Sequence, residues 1–340
     1  MAETSVKCTG CGSLRLDLEL FCRKCGNPFI VNVTGEYHNN IGDNFPYISK
    51  FILNPDTDTP LISLNEYTWA KEEFLHPTLS YKDRGMNNLF SFLKSNNVLK
   101  NNLKVSEDSS GNAGASFAFF SRMLNLDATV FVSKNANINK ISQIKKYGAK
   151  VVQVEGNRKD VETAAINSGM MYLGHQSWPE FTDGFRSISY EIYEKAETFP
   201  DKLYIPFSTG TLYTGIYFGF KHLKDNNLID QIPDLVAVMP EKAAGMHNFM
   251  IGKENVPQPS IADALTGMIP LRANFMKKII KENGKTILVT EEEIFIARSE
   301  LLKMGLDVEF SSAVSYAAKK KSGKENSILI LTGHGIKNVG

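Results

Sequence analysis

The sequence predicts an α/β protein in which two parallel-sheet domains face each other across a cleft, preceded by a small zinc ribbon. Three observations predict it. Short β-branched runs alternate with helical patterns over most of the chain, all four cysteines fall between Cys8 and Cys25, and three strand-to-helix turns are rich in Ser, Thr, Asn and Gly. At 340 residues and 42% hydrophobic, the chain has enough core material for two domains.

The ribbon comes first. Cys8, Cys11, Cys22 and Cys25 form CxxC, ten residues, CxxC. Two such knuckles supply four thiolates to a tetrahedral Zn2+, and Gly10, Gly12 and Gly26 stand where the turns need unusual backbone angles. In a reducing cytosol a metal is favoured over two disulfides. Four cysteine ligands leave no open coordination position, so the ribbon is expected to be structural or an interaction surface. Arg15, Arg23 and Lys24 are offset by Asp17 and Glu19, which argues against a nucleic-acid face.

The polar stretch VTGEYHNNIGDNFPYISKFILNPDTDTP reads as a linker or arm with one short strand-like piece. Beyond it, ATVFVS (128–133) and AKVVQVEG (149–156) are strand-like and flank INKISQIKKYG, where Ile138, Ile141 and Ile144 repeat at helical spacing before Gly148. This is a βαβ unit, and it implies a parallel sheet. KLYIPF (202–207), DLVAVMP (234–240), KTILVT (285–290) and NSILILTG (326–333) read as buried strands separated by helical patterns such as EEEIFIARSELLKMG.

Lys+Arg 38 against Asp+Glu 37 gives a net charge of +1, so no overall field holds the chain to nucleic acid or an acidic membrane. The start, MAETSVKCTGCG, has no apolar signal-like region, and the most apolar segment, LYIPFSTGTLYTGIYFGF, is broken by Thr and Gly. The expectation is a cytoplasmic protein acting on a small molecule, with neither nucleic acid nor membrane as partner.

The three turns are SSGNAGAS, with Ser109, Ser110 and Asn112; STGTL, with Ser208, Thr209, Gly210, Thr211 and Leu212; and TGHG, with Thr332. Taken singly, each is a capped helix. Together they offer unpaired N–H groups and positive helix ends suited to phosphate or carboxylate. Neither GxxxxGK[ST] nor GxGxxG is present, which argues against a nucleotide site. In HPTLSYKDRG (76–85), Asp83 suits a helix start but Lys82 does not. An ammonium is disfavoured at that end, and a neutral amine can form an imine.

PTLSYKDRG, SSGNAGAS, STGT, EFSSA (309–313) and TGHGIKN, in that order, resemble the threonine synthase group of pyridoxal-phosphate enzymes, which have the tryptophan-synthase-β-like fold (fold type II). Archaeal-type members of the group also carry an N-terminal zinc ribbon. The resemblance spans essentially the entire chain. It implies a ribbon at 1–31, a larger cofactor-binding domain from 32–85 and 186–340, a smaller α/β domain at 86–185 closing over the cleft, and a homodimer.

By the same resemblance Lys82 forms the imine with pyridoxal 5'-phosphate and moves protons at the substrate Cα and Cβ. Asn112 meets the cofactor's 3-oxygen, Ser208 to Leu212 cradle its phosphate, and Thr332 faces its pyridine nitrogen. Ser109, Ser110 and Ala113 stand at the substrate carboxylate. A neutral hydroxyl at the pyridine nitrogen favours elimination and replacement at Cβ or Cγ over transamination. The reaction implied first is that of threonine synthase, O-phosphohomoserine and water to threonine and phosphate. Next is β-replacement or dehydration of serine, phosphoserine or threonine, of the cysteate synthase or dehydratase type. A catalytically silent interaction module is a reading of another class, and an imine lysine argues against it.

The chain departs from the group at several places. Leu79 stands where glycine is usual and Tyr81 where Phe is, both chemically mild changes, and Ala113 replaces a threonine. GHQSWPEFTDGFRS (174–187) aligns with NSVNPYRLEGQKT, placing His175, Gln176 and Phe181 where that group holds the substrate phosphate. A dianionic leaving group then needs Arg186, His175 or another donor. Trp178 reads as a packing residue, and Met239, Met246, Met250 and Met268 as core or lid.

Overall fold

The computed structural model describes residues 3–136 and 138–338. Strands β1 (Glu3–Cys8) and β2 (Phe29–Thr34) pair antiparallel, Cys8 opposite Phe29, and close the cysteine ribbon. Then follow β3 (Leu61–Asn65), β4 (Thr68–Lys71), α1 (Lys82–Ser95), β5 (Lys104–Glu107), α2 (Asn112–Met123), β6 (Asp127–Ser133), α3 (Ile138–Lys146), β7 (Lys150–Val154), α4 (Arg158–Ile166), β8 (Met171–Tyr172), α5 (Pro179–Asp183) and α6 (Arg186–Lys195). The remainder is β9 (Lys202–Pro206), α7 (Thr211–Asp225), β10 (Asp234–Pro240), α8 (Gly245–Ile251), α9 (Ala273–Asn283), β11 (Gly284–Val289), α10 (Glu291–Lys303), α11 (Phe310–Lys320) and β12 (Ser327–Ile330).

Two larger sheets carry the architecture. One has six strands in the order β11-β10-β9-β12-β4-β3, all parallel except the edge pair β3–β4; the other has four parallel strands, β7-β6-β5-β8. The four-stranded sheet is drawn wholly from within 86–185, and the six-stranded one from either side of that segment.

Alternation explains why the central strands read as continuous apolar runs. Leu203 and Ile205 of β9, Leu235 and Ala237 of β10, and Ile328 and Ile330 of β12 enter the large core on one face. Their neighbours Tyr204, Val236, Val238 and Leu329 enter a second core under α10 and α11. A parallel sheet covered on both faces needs apolar residues at every position. In α3, Ile141 and Ile144 are buried as their spacing predicts, but Ile138 opens the helix 74% exposed. Met239 and Met246 are core, whereas Met268 is half exposed.

The polar stretch after the ribbon is more than a linker. Ile41, Phe45 and Ile48 are buried in the large core, and Asn44, fully buried, ties the segment to itself by donating to the His38 carbonyl (2.7 Å) and accepting from the His38 N–H (3.0 Å). No helix of the described residues is long and apolar enough to cross a membrane.

Candidate active site

The stretch HPTLSYKDRG is held from both sides. The chain after β12 runs beside it: Tyr81 N–H donates to the Thr332 carbonyl (3.0 Å) and His334 N–H to that of Leu79 (3.1 Å). Thr332 is thereby placed next to Lys82. Leu79 adopts φ +62°, the left-handed region, so its substitution for glycine carries a backbone cost as well as a change of side chain.

Each of the next four residues has a separate task. Lys82 is the first residue of α1; its Nζ lies 4.7 Å from the Tyr81 ring centre and 5.4 Å from that of Phe181. The Asp83 carboxylate accepts from the Thr78 N–H (2.7 Å) and hydroxyl (2.6 Å), fixing the turn before the helix. Arg84 is buried and donates to Glu73 (2.6 and 2.7 Å) and Glu191 (2.6 and 2.8 Å), anchoring α1 to the segment after β4 and to α6. Gly85 leaves room for α5: a Cβ there would stand 2.7 Å from the Phe181 ring.

The three polar turns converge on Lys82. Lys82, Ser109, Ser110, Asn112, Ala113, His175, Gln176, the five residues from Ser208 to Leu212 and Thr332 all line one cleft. Ser208 to Leu212 join β9 to α7, and Gly210, at φ +74°, begins the helix with no side chain capping it. Only glycine serves there, because a Cβ would meet the Met276 sulfur at 2.4 Å as well as strain the backbone. Gly114 permits the close fold-back of the serine turn, where a Cβ would meet the Ser109 carbonyl oxygen at 1.9 Å. The Thr332 and Ser312 hydroxyls are 2.9 Å apart.

Arg186 is the exception among the predicted residues, and its assignment to the substrate is corrected. It is 1% exposed, donates to both Asp183 oxygens (2.6 and 2.8 Å) and to the Asn44 carbonyl (3.0 Å), and lies over the Phe45 ring. The start of α6 turns it into the core, where it fastens the segment after the ribbon. The one cleft-lining arginine among the described residues is Arg158, at the start of α4, paired with Asp108 at 2.6 Å. Sequence reasoning also passed over Glu309, which accepts from Asn112 Nδ2 (3.0 and 3.2 Å) although EFSSA was one of the motifs.

A buried acidic and imidazole cluster stands at the end of β5. His175 Nδ1 and Glu107 Oε1 are 2.7 Å apart, the other Glu107 oxygen takes the Ser109 N–H, and Asp108 accepts from the Tyr172 hydroxyl (2.9 Å). Burial pushes the Glu107 carboxyl up to about 7, with the Arg158 cation opposing. Burial, and then the nearby Lys82 charge, hold His175 well below the usual imidazole range. Near neutrality Glu107 therefore changes charge while His175 stays neutral, and His175 lines the cleft. Trp178 packs as expected, 2% exposed, its indole N–H donating to the Tyr172 carbonyl (3.1 Å).

Away from the cleft, the sulfurs of Cys8 and Cys25 are 3.3 Å apart and those of Cys11 and Cys22 3.7 Å, all four within 4.8 Å of one another. Four thiolates about 2.3 Å from a tetrahedral Zn2+ stand about 3.8 Å apart. The cage fits that ion.

Comparison with known proteins agrees with this geometry. Residues 52–333 match the family described as pyridoxal-phosphate dependent enzyme. The chain is 28% identical to the threonine synthase of Methanosarcina acetivorans over 79% of its own length and 70% of that protein's. It is also 28% identical to that of Methanocaldococcus jannaschii, over 85% and 77%. Among solved structures it resembles a pyridoxal 5'-phosphate-dependent aspartate racemase (TM-score 0.71, 24% identity, 88% of this chain and 95% of the other). It also resembles the processed threonine deaminase isoform 2 of Solanum lycopersicum (TM-score 0.69, 22% identity, 88% and 86%). At these identities the two structures show the fold.

Proposed function

The chain belongs to the family of pyridoxal-phosphate dependent enzymes, and on that premise we propose that it eliminates or replaces a side-chain group of an amino-acid substrate. The first reading is threonine synthase chemistry, O-phosphohomoserine and water to threonine and phosphate. A single observation carries the reading: the Lys82 amine, the uncapped start of α7 and the Thr332 hydroxyl line the same cleft.

The donors fit pyridoxal 5'-phosphate. The turn from Ser208 to Leu212 would hold the phosphate with backbone N–H groups and hydroxyls at a helix N-terminus, with Asn112 on the side of the ring hydroxyl and Thr332 on that of the ring nitrogen. When bound, the cofactor supplies an electron sink that acidifies the hydrogens on the substrate's Cα and Cβ. Thr332, already partnered by Ser312, gives that nitrogen a neutral contact, which favours elimination and replacement over transamination. Lys82 takes and returns protons at Cα and Cβ. Ser109 and Ser110, before the N-terminus of α2, bind the substrate carboxylate. His175, oriented by Glu107, serves the distal end of the substrate, where a leaving group departs and a nucleophile enters.

A second reading, β-replacement or dehydration of serine, phosphoserine or threonine, is favoured by one specific observation. Arg158 is already neutralised by Asp108. A distal pocket without net positive charge suits a hydroxyl leaving group better than a phosphate dianion. Lys82 argues against a catalytically silent module. A structural Zn2+ in the cysteine cage and a cytoplasmic homodimer belong to the same proposal. Phosphate release from O-phosphohomoserine and phosphoserine, compared with ammonia release from threonine and serine, ranks the readings. Turnover of serine, phosphoserine or threonine but not of O-phosphohomoserine selects the second, and no turnover by the cofactor-loaded chain on any of the four overturns both.

A further inference from the structure

We propose that the metal-loaded ribbon braces the segment 174–178, so that loading of the four cysteines sets the position of His175 and Gln176 in the cleft. The proposal rests on the zinc reading of the cage and on the place of those two residues in the site. It assigns the ribbon a role in the chemistry without making it a ligand of substrate.

The brace has two arms. In the first, Phe29 packs against Cys8 and Cys22 in the small core of the ribbon, 1% exposed. Its carbonyl accepts from Arg272 Nε (2.9 Å) and Nη2 (2.8 Å), while Nη1 of the same guanidinium donates to the Gln176 carbonyl (2.6 Å) and Nη2 to that of Ser177 (3.4 Å). Arg272 is 3% exposed. One buried cation thus joins a carbonyl beside the sulfur cage to two carbonyls beside His175. A planar fork with donors on three nitrogens can span these acceptors; a lysine cannot.

In the second arm, Arg15 reaches out of the ribbon to pair with Glu180, both side chains nearly inaccessible (5% and 1%), and its guanidinium lies 5.8 Å from the Phe92 ring centre of α1. Glu180 also offers its carbonyl to Asn88 of α1 (2.6 Å) and precedes Phe181, whose ring faces Lys82. The ribbon therefore grips both the loop that carries His175 and the short helix behind Lys82.

The ribbon's own apolar core, Cys8, Cys22 and Phe29 with Val6 beside it, is too small to hold the hairpin once the sulfurs are released. The Phe29 carbonyl then leaves Arg272, and the segment 174–178 loses its fixed neighbour. Trp178 reports this directly, because the chain has 2 tryptophans and the other, Trp69, lies on β4.

The test uses the full cofactor-loaded chain carrying Trp69→Phe, with metal removed by chelator and restored with Zn2+. Hydrogen exchange of the amides at 174–178 is expected to rise about tenfold or more on metal removal, reversibly, with a red shift of Trp178 emission and no change in α10 and α11. Arg272→Gln is expected to raise the same amides while the cage keeps its metal, and chelation is then expected to add little. Should that variant not fold, the chelation arm decides alone. A chain that holds no metal at the four cysteines, or one in which 174–178 and Trp178 do not respond to its removal, overturns the proposal. Cofactor absorbance in the same samples separates this outcome from failure of the pyridoxal-phosphate reading, since the brace stands or falls on exchange and emission.

Discussion

Replacing Arg84 with methionine tests why the motif carries an arginine two residues beyond its lysine. Arg84 and Lys71 balance Glu73 and Glu191, all four with side chains 1% exposed or less. Lys71 lies 2.5 Å from Glu191 and 3.7 Å from Glu73. Without the guanidinium, one carboxylate is left buried without its counter-charge. Counting four charge-assisted hydrogen bonds at about 1.5–3 kcal/mol each overstates the loss, because the stranded carboxylate takes up a proton instead. Breaking a buried pair in this way costs about 3–5 kcal/mol.

The pH dependence follows with a definite sign. In the wild type the Arg84 charge overcomes burial and holds Glu73 well below the ordinary carboxylate range and Glu191 below it, so their contribution is present above about pH 4.5 and is lost as pH falls through the depressed values. In Arg84→Met the stranded carboxyl is raised instead, so stability falls as pH rises. The deficit measured by urea unfolding should therefore be larger at pH 8 than at pH 5. A loss below about 1 kcal/mol, or one equal at the two pH values, refutes the account. Lys134→Ala is the control: its partner Glu155 and Lys134 itself are 79% and 64% exposed, and exposed pairs are worth about 0–1 kcal/mol.

Leu79→Gly should change stability by less than about 1 kcal/mol in the same assay, because relief of about 1–2 kcal/mol of left-handed strain is offset by about 0.4–1 kcal/mol of added chain entropy and by the lost burial of a partly buried leucine. A decrease beyond about 1 kcal/mol would show that leucine packing outweighs the backbone. Glu107, raised to about 7 in the folded chain, makes stability decline with pH between its unfolded value and 7, with a slope of up to about 1.4 kcal/mol per unit. Glu107→Gln should flatten that stretch of the urea-midpoint profile and remove any inflection near neutrality from the pH–rate curve. An unchanged profile would detach Glu107 from His175.

What the sequence disclosed follows from how each element is buried. β9, β10 and β12 are covered on both faces, so their residues are apolar at every step and stand out. β4 was hidden because Lys71, fully buried in the charge network, interrupts its short run, and β8 has 2 residues. The turns around Lys82 were readable because small polar residues and glycines are demanded by the backbone itself. Arg186 misled because sequence gives the order of residues along a helix start and not the direction in which the helix turns them. Arg158 and Glu107 lie 51 positions apart, and their meeting beside His175 depends on how α4 returns to the end of β5. Leucine itself does not signal the left-handed angle at Leu79; the trace of it is the glycine usual at that place in the group.

The central claim is that Lys82 carries the cofactor. Reconstitution with pyridoxal phosphate, reduction with borohydride and peptide mapping test it most directly. The account predicts a coloured protein in which the cofactor is fixed covalently to the peptide containing Lys82, and a Lys82→Ala variant that folds but carries no label. A protein that stays colourless, or a label found on another lysine while Lys82 remains unmodified, would contradict it.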